Sequence, residues 1–507
     1  MSAPASKKHM AAAAGLAVAI GLLASGAARA EPFPTPPAPA EPRPLSVAPP
    51  VEQKLPNGLR VVLAERKGVR LVTAQLLVLS GSEVDPDKLA GLAAMTATLL
   101  TKGTQRHDAT ALANAAEALG ASLESGAGWN RSAVSITVAE PLLNPALALV
   151  AEAVMQPAFA QAELDRARAQ ALDELKVAYA RPGTVASLTA ERLLFGAGAY
   201  GHPADGTPAS LARVGRNDLL ALHRAYYRPD NAVLVLAGDI TPSSARRLAA
   251  KHFGAWRKPA APLLAAPTAS APAAPAASAS AASAPSSLTA RTVVVDMPQS
   301  GQAGAVMIMP APPSRVPLAE RAIGQVTNVV LGAGYSSRLN QEIRIKRGLS
   351  YGAGSSLDAR RQSGALRASV QTKNESAAEV VGLVQTEFDR LISTPVPDDE
   401  LAARKATVIG AFSRSVETTA GLGGAVAALV VAGVPIDDLG KRIDALAAVN
   451  PADVQRYAAA HFGTDGRRVV VAGDAAKFVP ALQKMAPNLV TVKQDALDLE
   501  NPAELSR

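Results

Sequence analysis

Between Pro259 and Ser287 the chain is almost entirely Ala, Pro and Ser and carries no charge. Such a segment has too little apolar bulk to offset the entropy of ordering it, and it reads as a flexible linker. It splits the 507-residue chain into two bodies of about 200 residues each. Each body is long enough for its own core, so a single continuous domain is excluded.

The bodies end alike. The first closes with His223-Arg-Ala-Tyr-Tyr-Arg-Pro-Asp-Asn-Ala-Val-Leu-Val-Leu-Ala-Gly-Asp239. The second closes with Tyr457-Ala-Ala-Ala-His-Phe-Gly-Thr-Asp-Gly-Arg-Arg-Val-Val-Val-Ala-Gly-Asp474. Both read as a helix end, a polar turn and a strand finishing in Ala-Gly-Asp. This argues for a duplicated domain, with chance likeness of common strand–turn pieces as the competing explanation. Gly58 to Ala64 reads as a strand leaving the Asn57-Gly58 turn, and Leu71 to Leu79 as a second strand. Strands, helices, strands, helices and a final strand in each half predict an α+β fold, two homologous domains each with a mainly antiparallel sheet and helices packed on one face. The expected boundaries are 51–258 and 291–480, joined by a linker over 259–290 and followed by a polar tail over 481–507.

Lys7, Lys8 and His9 precede an apolar run from Met10 to Leu23 and a small-residue stretch ending Ala28-Arg29-Ala30. That is the layout of a secretory signal peptide over 1–30, cleaved after Ala30, with a Pro/Ala-rich tether over 31–50. An uncleaved anchor is the alternative, but the run is short for a bilayer span. The expected location is therefore the periplasm, with no stable membrane span after cleavage. Losing Lys7, Lys8 and Arg29 lowers the net charge from +8 to +5, mild for this length, so nucleic acid is not an expected partner. There is no cysteine, which excludes disulfides, thiolate metal sites and a thiol nucleophile.

Gly91-Leu-Ala-Ala-Met-Thr-Ala-Thr-Leu-Leu-Thr-Lys-Gly-Thr104 resembles the signature helix of the insulinase/pitrilysin-like zinc metallopeptidases. In active members that helix carries H-x-x-E-H. The frame survives as Gly91, Leu92, Ala93, Leu100, Lys102, Gly103 and Thr104. It places the two zinc histidines at Ala94 and Thr98 and the catalytic glutamate at Ala97. At about 100° per residue these three positions share a helix face. Two imidazoles four residues apart can grip one metal ion, and a carboxylate between them can deprotonate its water. Two methyl groups and a hydroxyl can do neither. The third ligand of the family is a glutamate on a later helix, and Glu174 stands about where it belongs. A companion glutamate seven residues earlier is replaced by Ala167. Of the histidines left after signal removal, His107, His202, His223, His252 and His461, no two are three or four apart, so no substitute cluster is visible along the chain.

Residues 331–351, Leu-Gly-Ala-Gly-Tyr-Ser-Ser-Arg-Leu-Asn-Gln-Glu-Ile-Arg-Ile-Lys-Arg-Gly-Leu-Ser-Tyr, are similar to the family's second-domain pattern. There an arginine and a tyrosine seven apart reach an active site, bind substrate backbone and steady the oxyanion. Arg344 and Tyr351 have that spacing, with Arg347 as the nearby alternative. The bland reading is a solvated helix arginine and a core tyrosine. The resemblance spans roughly residues 51 to 480. It implies a processing-peptidase-like fold and an inactive subunit of an exported metalloendopeptidase. Such a subunit binds no zinc itself and positions peptide or unfolded protein for a zinc-bearing partner in a heterodimer. A scaffold without a role in proteolysis is the main alternative, and an active peptidase with an unrecognised site a lesser one.

Overall fold

The computed structural model describes residues 47–265 and 292–501. The signal peptide and nearly all of the tether, most of the linker and the last six residues lie outside the described residues.

The first half builds one six-stranded sheet from β1 (Val51–Lys54), β2 (Arg60–Glu65), β3 (Leu71–Val78), β4 (Glu124–Gly128), β5 (Arg131–Ala139) and β6 (Ala232–Gly238), in the order β1-β2-β6-β3-β5-β4. The second builds another from β7 (Thr292–Asp296), β8 (Ala303–Ala311), β9 (Ser350–Ala359), β10 (Gly364–Thr372), β11 (Arg468–Gly473) and β12 (Val490–Lys493), in the order β12-β7-β11-β8-β10-β9. Five strands correspond one to one. β6 lies parallel to β2 and antiparallel to β3, and β11 lies parallel to β7 and antiparallel to β8. The strands ending in Ala-Gly-Asp are these equivalent inner strands. They are apolar throughout because both faces of an inner strand are covered: every residue of β6 is buried.

The outermost strand breaks the correspondence. β1 precedes β2 and runs antiparallel to it, whereas β12 comes from the chain's end and runs parallel to β7. The second sheet thus continues past residue 480. In β12, Val490 and Val492 alternate with the exposed Thr491 and Lys493, as an edge strand requires.

Each half packs its own helices on one face of its sheet, and the other face is covered by a helix donated by the other half. Pro182–Phe195 crosses to the second sheet, where Val185, Ala190, Leu193 and Leu194 pack with Val293, Val306, Ile308 and Val470. Thr419–Ala432 makes the reciprocal crossing, and Leu422, Val426, Leu429 and Val430 pack with Val62, Leu77, Val233 and Val235. Each buried aliphatic side chain stabilises by roughly 1.5–3 kcal/mol. The approach needs small residues: a Cβ on Gly304 of β8 would lie 2.5 Å from Gly183 of the crossing helix. Thr419–Ala432 is the most uniformly apolar of the described helices and, with Asp398–Ser415, forms a pair bent by 112°. No single described helix is long and apolar enough to cross a membrane.

Two further ties hold the halves together. The β9–β10 turn inserts Arg360 and Arg361 into the first half. Arg360, 3% exposed, lies over the rings of Trp129, Phe195 and Tyr200 at 4.2, 4.7 and 5.2 Å and pairs with Glu191 at 3.1 Å. Arg361 donates to the carbonyls of Leu79 and Asn130 at 3.1 and 2.9 Å. Beyond β12 the chain returns to the first half, where Gln494 donates to the Tyr179 carbonyl at 2.7 Å and Glu500 pairs with Arg213 at 2.6 Å.

Candidate functional site

The helix Leu92–Leu99 starts on Gly91, whose φ of 87° is one that glycine adopts without strain. Asp85 supplies the missing cap: its side-chain oxygens accept from Gly91 N at 2.8 Å and Ala93 N at 2.7 Å, and burial pushes its carboxyl well above the usual carboxylate range against the pull of those two N–H groups. Leu92, Ala93, Met95, Thr96, Ala97 and Leu99 are buried, Ala94 is half-buried and Thr98 is exposed. The core-packing stripe is intact. Of the three emptied positions, Ala97 is closed off inside the fold, while Ala94 and Thr98, four apart, reach the surface side.

Glu174 stands exposed on the helix Gln161–Tyr179 and accepts from Gln170 Nε2 at 2.8 Å. Its charge acts on Asp205, whose carboxyl is pushed up by burial first and by Glu174 second. Asp205 in turn abuts the start of the motif helix, since a Cβ on Gly91 would lie 2.9 Å from its carbonyl group. Two carboxylates therefore remain beside the helix. Asp205 belongs to the Gly201-His-Pro-Ala-Asp-Gly206 loop. His202 is turned away: it packs on Trp129 at 5.4 Å between ring centroids and its Nδ1 lies 3.2 Å from the Pro203 carbonyl. His107 is held by Glu152 at 2.8 Å and His223 by the Val154 carbonyl at 2.8 Å. Among the described residues no group of three His, Asp or Glu side chains converges as a metal site. With two methyl groups and a hydroxyl at the key positions, the donor set does not fit the zinc that the family signature implies.

One buried charge beside the helix was not anticipated. Glu83, 1% exposed, accepts from Gly81 N at 2.8 Å through Oε2, while Oε1 has no hydrogen-bond partner among the described residues and faces Arg361 at 3.7 Å. Burial is the main cause that pushes its carboxyl up to about 7, with Arg361 opposing.

In the second half, Arg344 lies on a π-helix, Asn340–Ile345, a form that recurs at functional sites. Its guanidinium stands 5.0 Å from the centre of the Tyr335 ring and pairs with no carboxylate among the described residues. Arg347 is engaged, donating to Glu342 at 2.6 Å. The π-helix packs against β9, whose second residue, Tyr351, is 92% exposed. Tyr351 is thus not the core tyrosine of the bland reading. Tyr335, 67% exposed, adds an aromatic ring that the spacing argument did not single out, although it stands next to Gly334 in the same segment. Asn340 holds this corner, donating to the Tyr335 carbonyl and accepting from Ala353 N at 3.4 Å.

Two duplicated α+β halves that exchange a helix, with a peptidase signature helix in the first, define the class as peptidase-like. A family model described as Insulinase (Peptidase family M16) matches residues 60–197, and one described as Peptidase M16 inactive domain matches residues 213–408. An uncharacterized zinc protease of Streptomyces coelicolor is 26% identical over 410 residues, 80% of this chain and 85% of that protein. A solved peptidase M16 inactive domain from Pseudomonas fluorescens aligns with TM-score 0.76 and 26% identity, covering 84% of this chain and 98% of that one. A protease from Helicobacter pylori shares the fold with TM-score 0.76 at 19% identity, covering 84% of this chain and all of that one. The chain belongs to the M16 insulinase family of peptidases and is a peptidase-like member that lacks H-x-x-E-H.

Proposed function

We propose that this protein is an exported, non-catalytic subunit that binds extended peptide and positions it for a zinc-bearing family partner. One contrast carries the reading. The first half keeps its motif helix but offers Ala94, Ala97 and Thr98 where a zinc site needs donors. The second half keeps Arg344 without a carboxylate partner among the described residues and Tyr351 almost fully in solvent. An exposed tyrosine and an uncompensated guanidinium are suited to grip a peptide backbone: the guanidinium donates to carbonyls and the ring covers apolar surface. Zinc belongs to the partner in this reading, the assembly is a heterodimer, and the leader over 1–30 delivers the chain to the periplasm.

The test is peptidase activity on an unstructured peptide, with and without a zinc-competent family chain from the same cell, alongside zinc analysis of this chain alone. A metal-free, inert chain that raises the partner's activity, with the gain lost in Arg344→Ala, supports the reading. Chelator-sensitive cleavage by this chain alone overturns it. A partner gain that survives replacement of both Arg344 and Tyr351 favours a scaffold.

A further inference from the structure

A cavity of about 460 Å³ opens among the helices Leu318–Leu331, Thr419–Ala432, Asp438–Ala448 and Pro451–His461, and neither the motif-helix positions nor Arg344, Tyr335 and Tyr351 line it. Its size is that of a small-molecule site. Four charged side chains line it: Glu320, Arg321, Asp438 and Arg442. Arg321 and Asp438 pair with each other. Arg442 does not share that acid; it donates to the neutral Gln325 at 3.0 Å and lies 4.8 Å from the Phe412 ring centre. Burial and the nearby Arg321 both pull its pKa down, the mark of a cation held without compensation. Glu320 has no cationic partner among the described residues. The cavity is thus left with one unmatched positive and one unmatched negative group.

Its floor adds a donor. Tyr457 is 8% exposed, and its hydroxyl, which makes no hydrogen bond to the described residues, faces the solvent-filled cavity. The hydroxyl reaches over Gly324, where a Cβ would lie 2.8 Å from it, so glycine leaves the room that the ring needs. Burial and Glu320 push its pKa up, and it stays a donor at every physiological pH. Lining the cavity, that hydroxyl is free to donate to a ligand that displaces water there. Leu357, Leu429 and Leu439 supply the apolar wall.

We propose that this cavity binds a short apolar peptide as its zwitterion, with the carboxylate on Arg442 and the Tyr457 hydroxyl, the ammonium toward Glu320 and the side chains against the leucine wall. The inference rests on the cavity alone and stands whether or not the chain serves a protease.

The experiment is calorimetric titration of leucyl-leucine into the full chain, with its N-acetyl and C-terminal amide derivatives as controls. The dipeptide binds with a Kd below ~1 mM. Removing either terminal charge weakens binding about tenfold or more, as does Arg442→Gln, and Tyr457→Phe weakens it roughly fivefold. Ala428→Trp, at an exposed position on the lining, fills the space without changing charge and abolishes binding. Circular dichroism checks that each variant folds; if Arg442→Gln does not, the derivatives and Ala428→Trp decide. Absence of dipeptide binding, equal binding of either capped derivative, or unchanged binding in Ala428→Trp overturns the proposal.

Discussion

The two halves share five strands and a crossing helix, yet they treat their polar residues in opposite ways. The first half draws charge inward around its motif helix. Asp85 caps the helix, Glu83 is buried behind it, and the positions that could face a metal are apolar or neutral. The second half places Arg344, Tyr335 and Tyr351 at one edge of its sheet, with both rings in solvent. A duplicated scaffold can lose chemistry in one copy without losing its fold, because core-packing and surface-facing positions of a helix are separate stripes. Ala94 and Thr98 reach the surface side and Ala97 adds only a small methyl inside, so the three replacements leave Leu92, Met95 and Leu99 where the core needs them.

The comparison is broken most severely by uncoupling the halves. Val426→Asp puts a charge at a fully buried position of the crossing helix against the first sheet and should cost more than about 4 kcal/mol. Because each half covers the other's sheet, denaturant unfolding of the native chain should show one transition by fluorescence and circular dichroism. Two separated transitions would show that the halves stand alone.

Arg360→Ala removes the cation stacked between three aromatic rings and leaves Glu191 with Arg367 as its remaining partner. A loss of about 3 kcal/mol is expected in chemical denaturation. A loss near zero would mean that the turn rests on the surface of the first half rather than locking it.

Glu83 predicts the pH dependence. Its folded pKa, about 7, lies above the ordinary value of 4.5, so the folded state holds the proton more tightly than the unfolded state. Its contribution is fully present below about 4.5 and is lost as pH rises to 7. Stability should therefore fall across that window by an amount on the order of 3 kcal/mol. Glu83→Gln should flatten the slope and be the more stable form at pH 8. An unchanged slope would show that the carboxylate is fully compensated by Arg361.

Ala94→His with Thr98→His restores an i, i+4 pair on the surface-reaching stripe, near Glu174 and Asp205. The double variant should gain zinc binding, read as a rise in melting temperature equivalent to about 2.7 kcal/mol when zinc is at 100 times its Kd. No zinc response would show that the helix has shifted away from the carboxylates as well as losing its donors. The smallest stability effect is expected at Tyr351→Ser. A side chain 92% exposed should change folding by no more than about 0.5 kcal/mol, while the proposed partner activation is lost. A large stability loss would return Tyr351 to a structural role.

Much of this was legible along the chain. Strand endings in Ala-Gly-Asp marked the equivalent inner strands, because a strand covered on both faces must be apolar throughout. The frame around residues 91–104 and 331–351 located the emptied helix and the Arg344 segment, since both depend on local spacing. The exchange of Pro182–Phe195 and Thr419–Ala432 was not legible: an apolar helix states that it is covered, not by which sheet. Asp205 beside Glu174, Arg360 among three rings, and the pairing of Arg321 with Asp438 that leaves Arg442 unmatched each join residues far apart in sequence or drawn from different elements.

The sequence by itself determined the two-part organisation, the duplicated strand pattern and the absence of donors at 94, 97 and 98, because composition, periodicity and residue identity are local properties. Only the tertiary structure decided which half covers which sheet, that β12 closes the second sheet in parallel, and which charges remain without partners. Those outcomes depend on how surfaces distant in the chain meet, and pair formation there is set by packing rather than by spacing.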